Sequence, residues 1–432
     1  MGRSRMLCLR NSRWRGHFES SIQACVSLRK KLTIPSSYLF LNMDRCDVAV
    51  IGAGPAGSMA AKYAAGSGAR VILLEEHSSV GWPVECAGLL GIKAMQESEL
   101  AGGFIVRQGM KGAAVYSPGG FRLDFKAKYC KAWVVDRRLF DRALALDALR
   151  EGAELRLRSL VRRVRREEGR CTLTLADDKE IQAKIVISAE GVRARLARQA
   201  GIGPVQMILS GAQVEAPFAV QDPEKVEVHL GAAPGLFAWV IPTGEETARI
   251  GLCTRERGCD LLRAFLQKDL IRKRLLGSAA ALTVGGLPLG PPASTVADGF
   301  MAVGDAAGQV KPTSGGGIYP GLVAAKIAGS VAAAAALEGD CSAKRLAEYD
   351  RRWRAALGRE LETGMRINHL LNRMSPAELD EVICYLGRKP GLLRAIEEHG
   401  DIDRPSRLMA KMLSQLDWDA IRLARLLRHA LG

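Results

Sequence analysis

Residues 44–432 of this 432-residue chain read as an α/β protein. A doubly wound dinucleotide-binding unit (44–200 and 286–340) is interrupted by an antiparallel-sheet unit (201–285). A helical region (341–432) follows. Three observations predict this. A short Val/Ile-rich run, Val48 to Ile51, meets a glycine turn and then a helix-forming segment. Alternating strand patterns separated by Pro-Gly and Thr-Gly-Glu turns fill Gly211 to Leu252. Beyond Asp340, Leu346, Tyr349, Trp353, Leu357 and Leu361 recur at helical spacing.

The first unit is organised around Val48 to Glu75. The run Val48 to Ile51 has the composition of a strand buried on both faces. Gly52, Gly54 and Gly57 then follow in G-x-G-x-x-G spacing, with the small Ala56 between them. Gly52 permits the tight turn. Gly54 lets backbone approach a pyrophosphate, and Gly57 lets the helix pack close on the strand. The helix predicted from Pro55 to Ala65 aims its N-terminal N–H groups at that pyrophosphate. A second strand, Val71 to Leu74, ends in Glu75, which can accept both hydroxyls of an adenosine ribose. This strand–turn–helix–strand–acid context is what lends a glycine triplet its meaning.

Next comes the loop Gly81-Trp82-Pro83-Val84-Glu85-Cys86-Ala87-Gly88-Leu89, in which small residues permit close backbone approach. Cys86 either faces a bound cofactor or is a buried structural thiol. Ala113 to Phe125 reads as a hairpin turning at Ser117-Pro118-Gly119-Gly120. An amphipathic helix runs to Arg150. At its start, Arg137 either reaches the pyrophosphate or is solvated. Leu155 to Arg165 and Cys171 to Leu175 read as two strands of a small sheet. Lys184 to Ser188 is a further strand, ending at Glu190-Gly191.

In the second unit, Phe237, Trp239 and Ile241 share one face of the strand Leu236 to Ile241, before Pro242. That face either packs on helices or lines an apolar pocket. A helix spans about Asp260 to Leu276. The strand ending in Gly304-Asp305 delivers an acid to a ligand. Pro312-Thr313-Ser314-Gly315-Gly316-Gly317-Ile318 then opens an Ala-rich helix whose N-terminus supplies free N–H groups.

The net charge is +16, and seven of these charges lie in residues 1–43. That segment, expected to be disordered, reads as a basic extension preceding the true start at Met43, or as a transit peptide. Ten scattered cysteines, with no C-x-x-C pair, fit a reducing cytoplasm and no metal site. No uninterrupted apolar run reaches membrane-spanning length. The basic balance fits nucleic acid, an anionic membrane surface or merely a basic proteome. The face of Leu346 to Leu361 either packs in the core or rests on that membrane.

The ordered stations at Gly52–Glu75, Glu190-Gly191 and Gly304-Asp305 resemble the flavoproteins of the aromatic-hydroxylase fold. Three further motifs together resemble the geranylgeranyl reductase family of archaeal ether-lipid and (bacterio)chlorophyll reductases. They are Pro83-x-x-Cys86-x-Gly88, Phe237-x-Trp239-x-Ile241-Pro242 followed by Gly251, and Ser314 to Ile318. The resemblance runs from Asp44 to Leu337. Two departures stand out: Glu190 replaces the usual Asp, and Phe237 and Ile241 replace the usual Tyr and Phe.

The resemblance implies a Rossmann-like FAD-binding domain and hydride transfer from reduced FAD to isoprenoid C=C bonds. The FAD contacts it implies are Gly52, Gly54, Ala56, Gly57, Glu75, Cys86, Ala87, Gly88, Arg137, Asp305, Gly317 and Ile318. Cys86 and Trp239 would be catalytic, and Phe237, Trp239, Ile241 and Pro242 would hold substrate. With one nucleotide fingerprint in the chain, electrons would come from transiently docked NAD(P)H or from a ferredoxin or deazaflavin carrier. Alternatives are reduction of geranylgeranyl diphosphate or of the chlorophyll chain, or a flavin monooxygenase of the same fold. The expected setting is cytoplasmic, peripheral on the membrane, with no nucleic-acid partner.

Overall fold

The computed structural model describes residues 44–403 apart from Glu168. The expectations for residues 1–43 and for the end of the helical region lie outside these. At the centre of an eight-stranded sheet is Asp44–Ile51. It pairs in parallel with Val71–Leu74 on one side and Glu180–Ser188 on the other. Glu154–Arg156 and Phe300–Ala302 extend the parallel order outward.

Successive residues of these strands point to opposite layers. Val48, Val50, Leu73, Ile185 and Ile187 face one core, with the helices Pro55–Gly66, Arg137–Arg150, Ile318–Glu338 and Ala343–Trp353. Ala49, Ile51, Ile72, Leu74 and Val186 face the other, with the hairpin Val161–Glu167/Arg170–Leu175 and the short helix Arg195–Gln199.

The segment Leu155 to Arg165 is two strands in two places, not one strand of a small sheet. Glu154–Arg156 joins the parallel order, and Val161–Glu167 begins the hairpin. The break falls at Arg158, which has φ 54°. Its N–H donates to His77 O, and the next N–H, of Ser159, donates to Glu75 O at 2.7 Å. Tertiary hydrogen bonds to the loop after Glu75 thus override local strand propensity.

The second sheet has seven strands in the order Ala281–Leu289, Met207–Pro217, Thr247–Thr254, Gly235–Pro242, Lys225–His229, Gly112–Tyr116, Arg122–Lys126. The last two are the hairpin from the first segment. Gly112–Tyr116 pairs with Lys225–His229 in parallel, within an otherwise antiparallel sheet. Ala212, Val214, Ala238, Val240, Ile250 and Leu252 bury one face against Leu262 and Phe265 of the helix Gly258–Gln267. The helix expected to Leu276 breaks at Lys268, whose extended backbone (ψ 134°) starts a separate turn, Asp269–Arg272. A three-stranded sheet, Leu89–Gly91, Ala132–Val135 and Val106–Met110, lies against the other face of the seven-stranded sheet, where Met110, Ala132 and Val134 meet Ile241.

Leu346, Tyr349 and Trp353 are fully buried, and Leu357 and Leu361 nearly so. This face therefore packs in the core and is not the part that could rest on a membrane. Ile318–Glu338 is long and apolar enough to span a bilayer, yet it is mostly buried inside the fold.

Candidate active site

The three stations read from the sequence meet at one edge of the parallel sheet. Gly52 adopts φ 96°, and a Cβ on Gly57 would lie 1.8 Å from Gly52 O. Any larger residue at either position would break the turn. Gly52 also touches the Glu190 station, since its Cβ would fall 2.4 Å from Ala189 O. A Cβ on Gly304 would fall 2.9 Å from Ala56 Cβ, so the third station abuts the first.

Gly54 differs from its neighbours, because no heavy atom lies within 4 Å of where its Cβ would be. It caps the helix Pro55–Gly66, which has no side-chain cap and no acid in its first turn. Open space over uncapped N–H groups is what a diphosphate requires.

Glu75 faces this turn. One carboxylate oxygen accepts from the Ala53 N–H at 2.9 Å, and the other accepts from the His77 N–H at 3.0 Å and meets His77 Nδ1 at 2.7 Å.

Asp305 Oδ1 sits 2.7 Å from the Cβ position of Gly317, over the uncapped start of Ile318–Glu338. Among the described residues no donor bonds this carboxylate. Burial pushes its pKa up to about 6, opposed by the Arg137 cation and helped by the Glu85 charge. Ser314 Oγ, in the loop before Gly317, is buried without a described partner. An open diphosphate cradle, an unbonded carboxylate and an orphaned hydroxyl together fit a polar dinucleotide.

Arg137 is not solvated. Its guanidinium turns inward, pairing with Asp141 at 2.9 and 3.0 Å and reaching Cys86. Burial alone would lower its pKa, but Asp141 and Cys86 together push it above the ordinary value.

The half-buried Cys86 lies in a loop tied from both sides. Arg249 Nη1 donates to Ala87 O at 2.8 Å, while its Nε donates to Glu215 at 3.0 Å. The Val135 N–H donates to Gly88 O, and the Gly88 N–H to Cys86 Sγ at 3.3 Å.

On the strand Gly235–Pro242, the helix-covered side chains are Ala238 and Val240. Phe237 and Trp239 face the other way and remain partly open, edge to face at 6.3 Å. Ile241 and Pro242 are buried, Ile241 with Met110 and Val134 and with Ala87 and Leu89 beside them. The structure therefore brings the Cys86 loop against the strand that carries Trp239. Trp239 Nε1 donates to Gln213 at 3.0 Å. Its ring occupies the space over its cross-strand neighbour Gly251, where a Cβ would lie 2.7 Å from the ring.

A family model described as lycopene cyclase protein matches residues 47–381. A digeranylgeranylglycerophospholipid reductase of Methanothrix thermoacetophila is 35% identical over 78% of this chain and 90% of its own length. The chain belongs to the geranylgeranyl reductase family. A solved geranylgeranyl bacteriochlorophyll reductase-like protein of Thermoplasma acidophilum superposes with TM-score 0.74 at 25% identity, over 87% of this chain and all of its own. A p-nitrophenol 4-monooxygenase of Pseudomonas putida shares the fold, with TM-score 0.65 at 19% identity, over 82% and 97%.

Sequence reading missed several residues that build the site of this geranylgeranyl reductase family member. Arg249 holds the Cys86 loop from the second sheet. Asn368 donates to Gly235 O at 2.8 Å and to Pro312 O at 3.1 Å, joining the aromatic strand to the glycine-rich loop. Asn372 accepts from the Gly235 N–H. Glu190 caps Arg195–Gln199 through the N–H groups of Leu196 and Ala197. The longer side chain at this position thus serves the helix end. The only prior signal for the asparagines was two polar residues four apart on a helix.

Proposed function

We propose that this chain is an FAD-dependent reductase that saturates C=C bonds of geranylgeranyl chains on membrane ether phospholipids. The observation that carries the reading is the likeness to reductases so named over nine-tenths of their length, joined to the dinucleotide cradle. FAD would lie with its pyrophosphate at Gly52, Gly54, Ala56 and Gly57 and its adenosine ribose on Glu75. Arg137, Asp305, Gly317 and Ile318, with the loop Cys86-Ala87-Gly88, would flank the rest.

Bound reduced flavin supplies a hydride, so each bond reduced takes up two electrons and two protons. Phe237 and Trp239 form the apolar wall that holds the alkene and excludes water, backed by Ile241 and Pro242. Cys86 Sγ carries the proton for the second carbon. The Arg137 cation beside it fixes the sulfur. The reductant is NAD(P)H docking transiently, or a ferredoxin or deazaflavin carrier.

The test is the product mass. Purified protein should carry about one FAD, and each saturated bond adds two hydrogens to the lipid. A second reading follows from the lycopene cyclase match. Ring closure would leave the mass of the isoprenoid unchanged. A folded, colourless protein that takes up no added FAD would end the flavin reading.

A further inference from the structure

The solvent face of the helix Arg137–Arg150 has an unusual composition. Its exposed residues are Arg138, Leu139, Arg142, Leu146 and Arg150. Leu139 is 41% exposed and Leu146 is 49% exposed. No exposed acid lies among them. Asp141 turns inward to Arg137, and the half-buried Asp147 pairs with Lys62 and Arg150. Arg142 has no ion pair among the described residues.

Two large aromatic side chains flank the start of this helix. Trp82 is 60% exposed and Phe104 is 62% exposed. Gly81, next to Trp82, packs on the backbone of Arg138. Ile105, next to Phe104, accepts the N–H of the helix cap Asp136 at 2.9 Å, and that cap carboxylate also holds Arg107.

We propose that this face docks the protein on an anionic bilayer. Trp82, Phe104, Leu139 and Leu146 enter the boundary between headgroups and acyl chains. Arg142 lies against lipid phosphates, and Arg107 and Arg138, which share the Asp136 carboxylate, add one further net positive charge. The inference deepens the reading of a membrane lipid as substrate and rests on it.

The composition supports a bilayer over bulk water. Apolar residues in line with arginines, with no exposed acid inside the helix, are the pattern of an interfacial helix, and Trp favours the headgroup level.

The position also suits the substrate. Trp82 lies four residues before Cys86 on one loop. Arg137, the first residue of the docking helix, reaches Cys86 itself. Docking through this face would present the Cys86 side of the cleft to lipid still seated in the membrane.

The experiment uses the full-length, FAD-loaded chain and two vesicle types, phosphatidylcholine alone and phosphatidylcholine with phosphatidylglycerol. Wild type should co-sediment with the anionic vesicles and release as salt rises. The double variant R142E/L146Q should lower the vesicle partition constant about thirtyfold, since it removes one cation and adds one anion and each surface charge counts roughly one kcal/mol at such a membrane. Its turnover of detergent-dispersed lipid should remain that of wild type.

Three results would overturn the proposal: no binding of wild type to anionic vesicles, equal binding to both vesicle types, or wild-type binding by the variant. A variant that binds vesicles normally but accepts electrons poorly from an acidic carrier protein would assign the face to that carrier instead. The two readings fail separately. Vesicle binding without lipid reduction would sink the reductase reading and leave docking intact. Reduction of dispersed lipid without vesicle binding would do the reverse.

Discussion

Replacing Glu75 by alanine should weaken FAD binding and also loosen the apoprotein. In the fold, the Glu75 carboxylate accepts the Ala53 N–H at 2.9 Å and the His77 N–H at 3.0 Å. Ala53 is fully buried, so Glu75→Ala leaves its N–H without that partner. An orphaned buried donor costs about 1–3 kcal/mol. The lost ribose contacts should remove a similar amount from FAD affinity, raising Kd roughly 5- to 150-fold. Glu75→Gln separates the two effects, because the amide oxygen still accepts from Ala53. It should keep most of the apoprotein's thermal stability while weakening FAD. The assay is titration of apoprotein with FAD, followed by quenching of flavin fluorescence, with Tm of each apoprotein alongside. Wild-type FAD affinity in Glu75→Ala would refute the ribose assignment. Equal Tm losses in both variants would refute the role given to the Ala53 bond.

Asp305→Asn should stabilise the flavin-free protein at neutral pH. The folded-state pKa, pushed up to about 6 by burial, means that ionisation favours the unfolded chain. Wild type should therefore lose about 3 kcal/mol as pH rises from roughly 4 to 6, whereas the variant should not; Tm across that range checks it. Burial raises Cys46 and Cys253 to about 12 and Cys171 to about 11, while Cys259 is exposed. Among the described cysteines, alkylation at pH 8, read by peptide mass spectrometry, should label Cys259 first, Cys171 roughly a hundredfold more slowly than an unshifted thiol, and Cys46 and Cys253 roughly a thousandfold more slowly. Gly251→Ala should press on the Trp239 ring, costing about 1–3 kcal/mol in packing. Flavin content should persist while lipid turnover falls; unchanged turnover would remove Trp239 from the substrate wall.

The dinucleotide turn was legible because its constraints are local. Gly52 to Glu75 encode a strand, a turn, a helix and an acid within one stretch. The open side of Gly54 and the clash facing Gly57 are geometric versions of the same spacing. The aromatic strand was half legible. Alternation placed Phe237 and Trp239 on one face, but it could not say that Ile241 is buried against Met110 and Val134.

What stayed hidden was long-range. Arg249 and Ala87 are 162 residues apart, and an arginine in a strand carries no mark of the carbonyl it will meet. The parallel pairing of Gly112–Tyr116 with Lys225–His229 depends on how two distant segments register. The break at Arg158 arises from bonds to the loop after Glu75. Glu190 looked like a ligand-facing acid, but its extra methylene lets the carboxylate turn back to a helix end.

The most direct test of lipid reduction is single-turnover reoxidation of the reduced, FAD-loaded protein without oxygen. Geranylgeranyl ether lipid is mixed in, and the flavin absorbance band is followed while the lipid is weighed by mass spectrometry. A reductase predicts return of the oxidised flavin band on adding lipid, with two hydrogens gained per flavin reoxidised. Flavin that stays reduced until oxygen is admitted, with the lipid unchanged or hydroxylated, would contradict it.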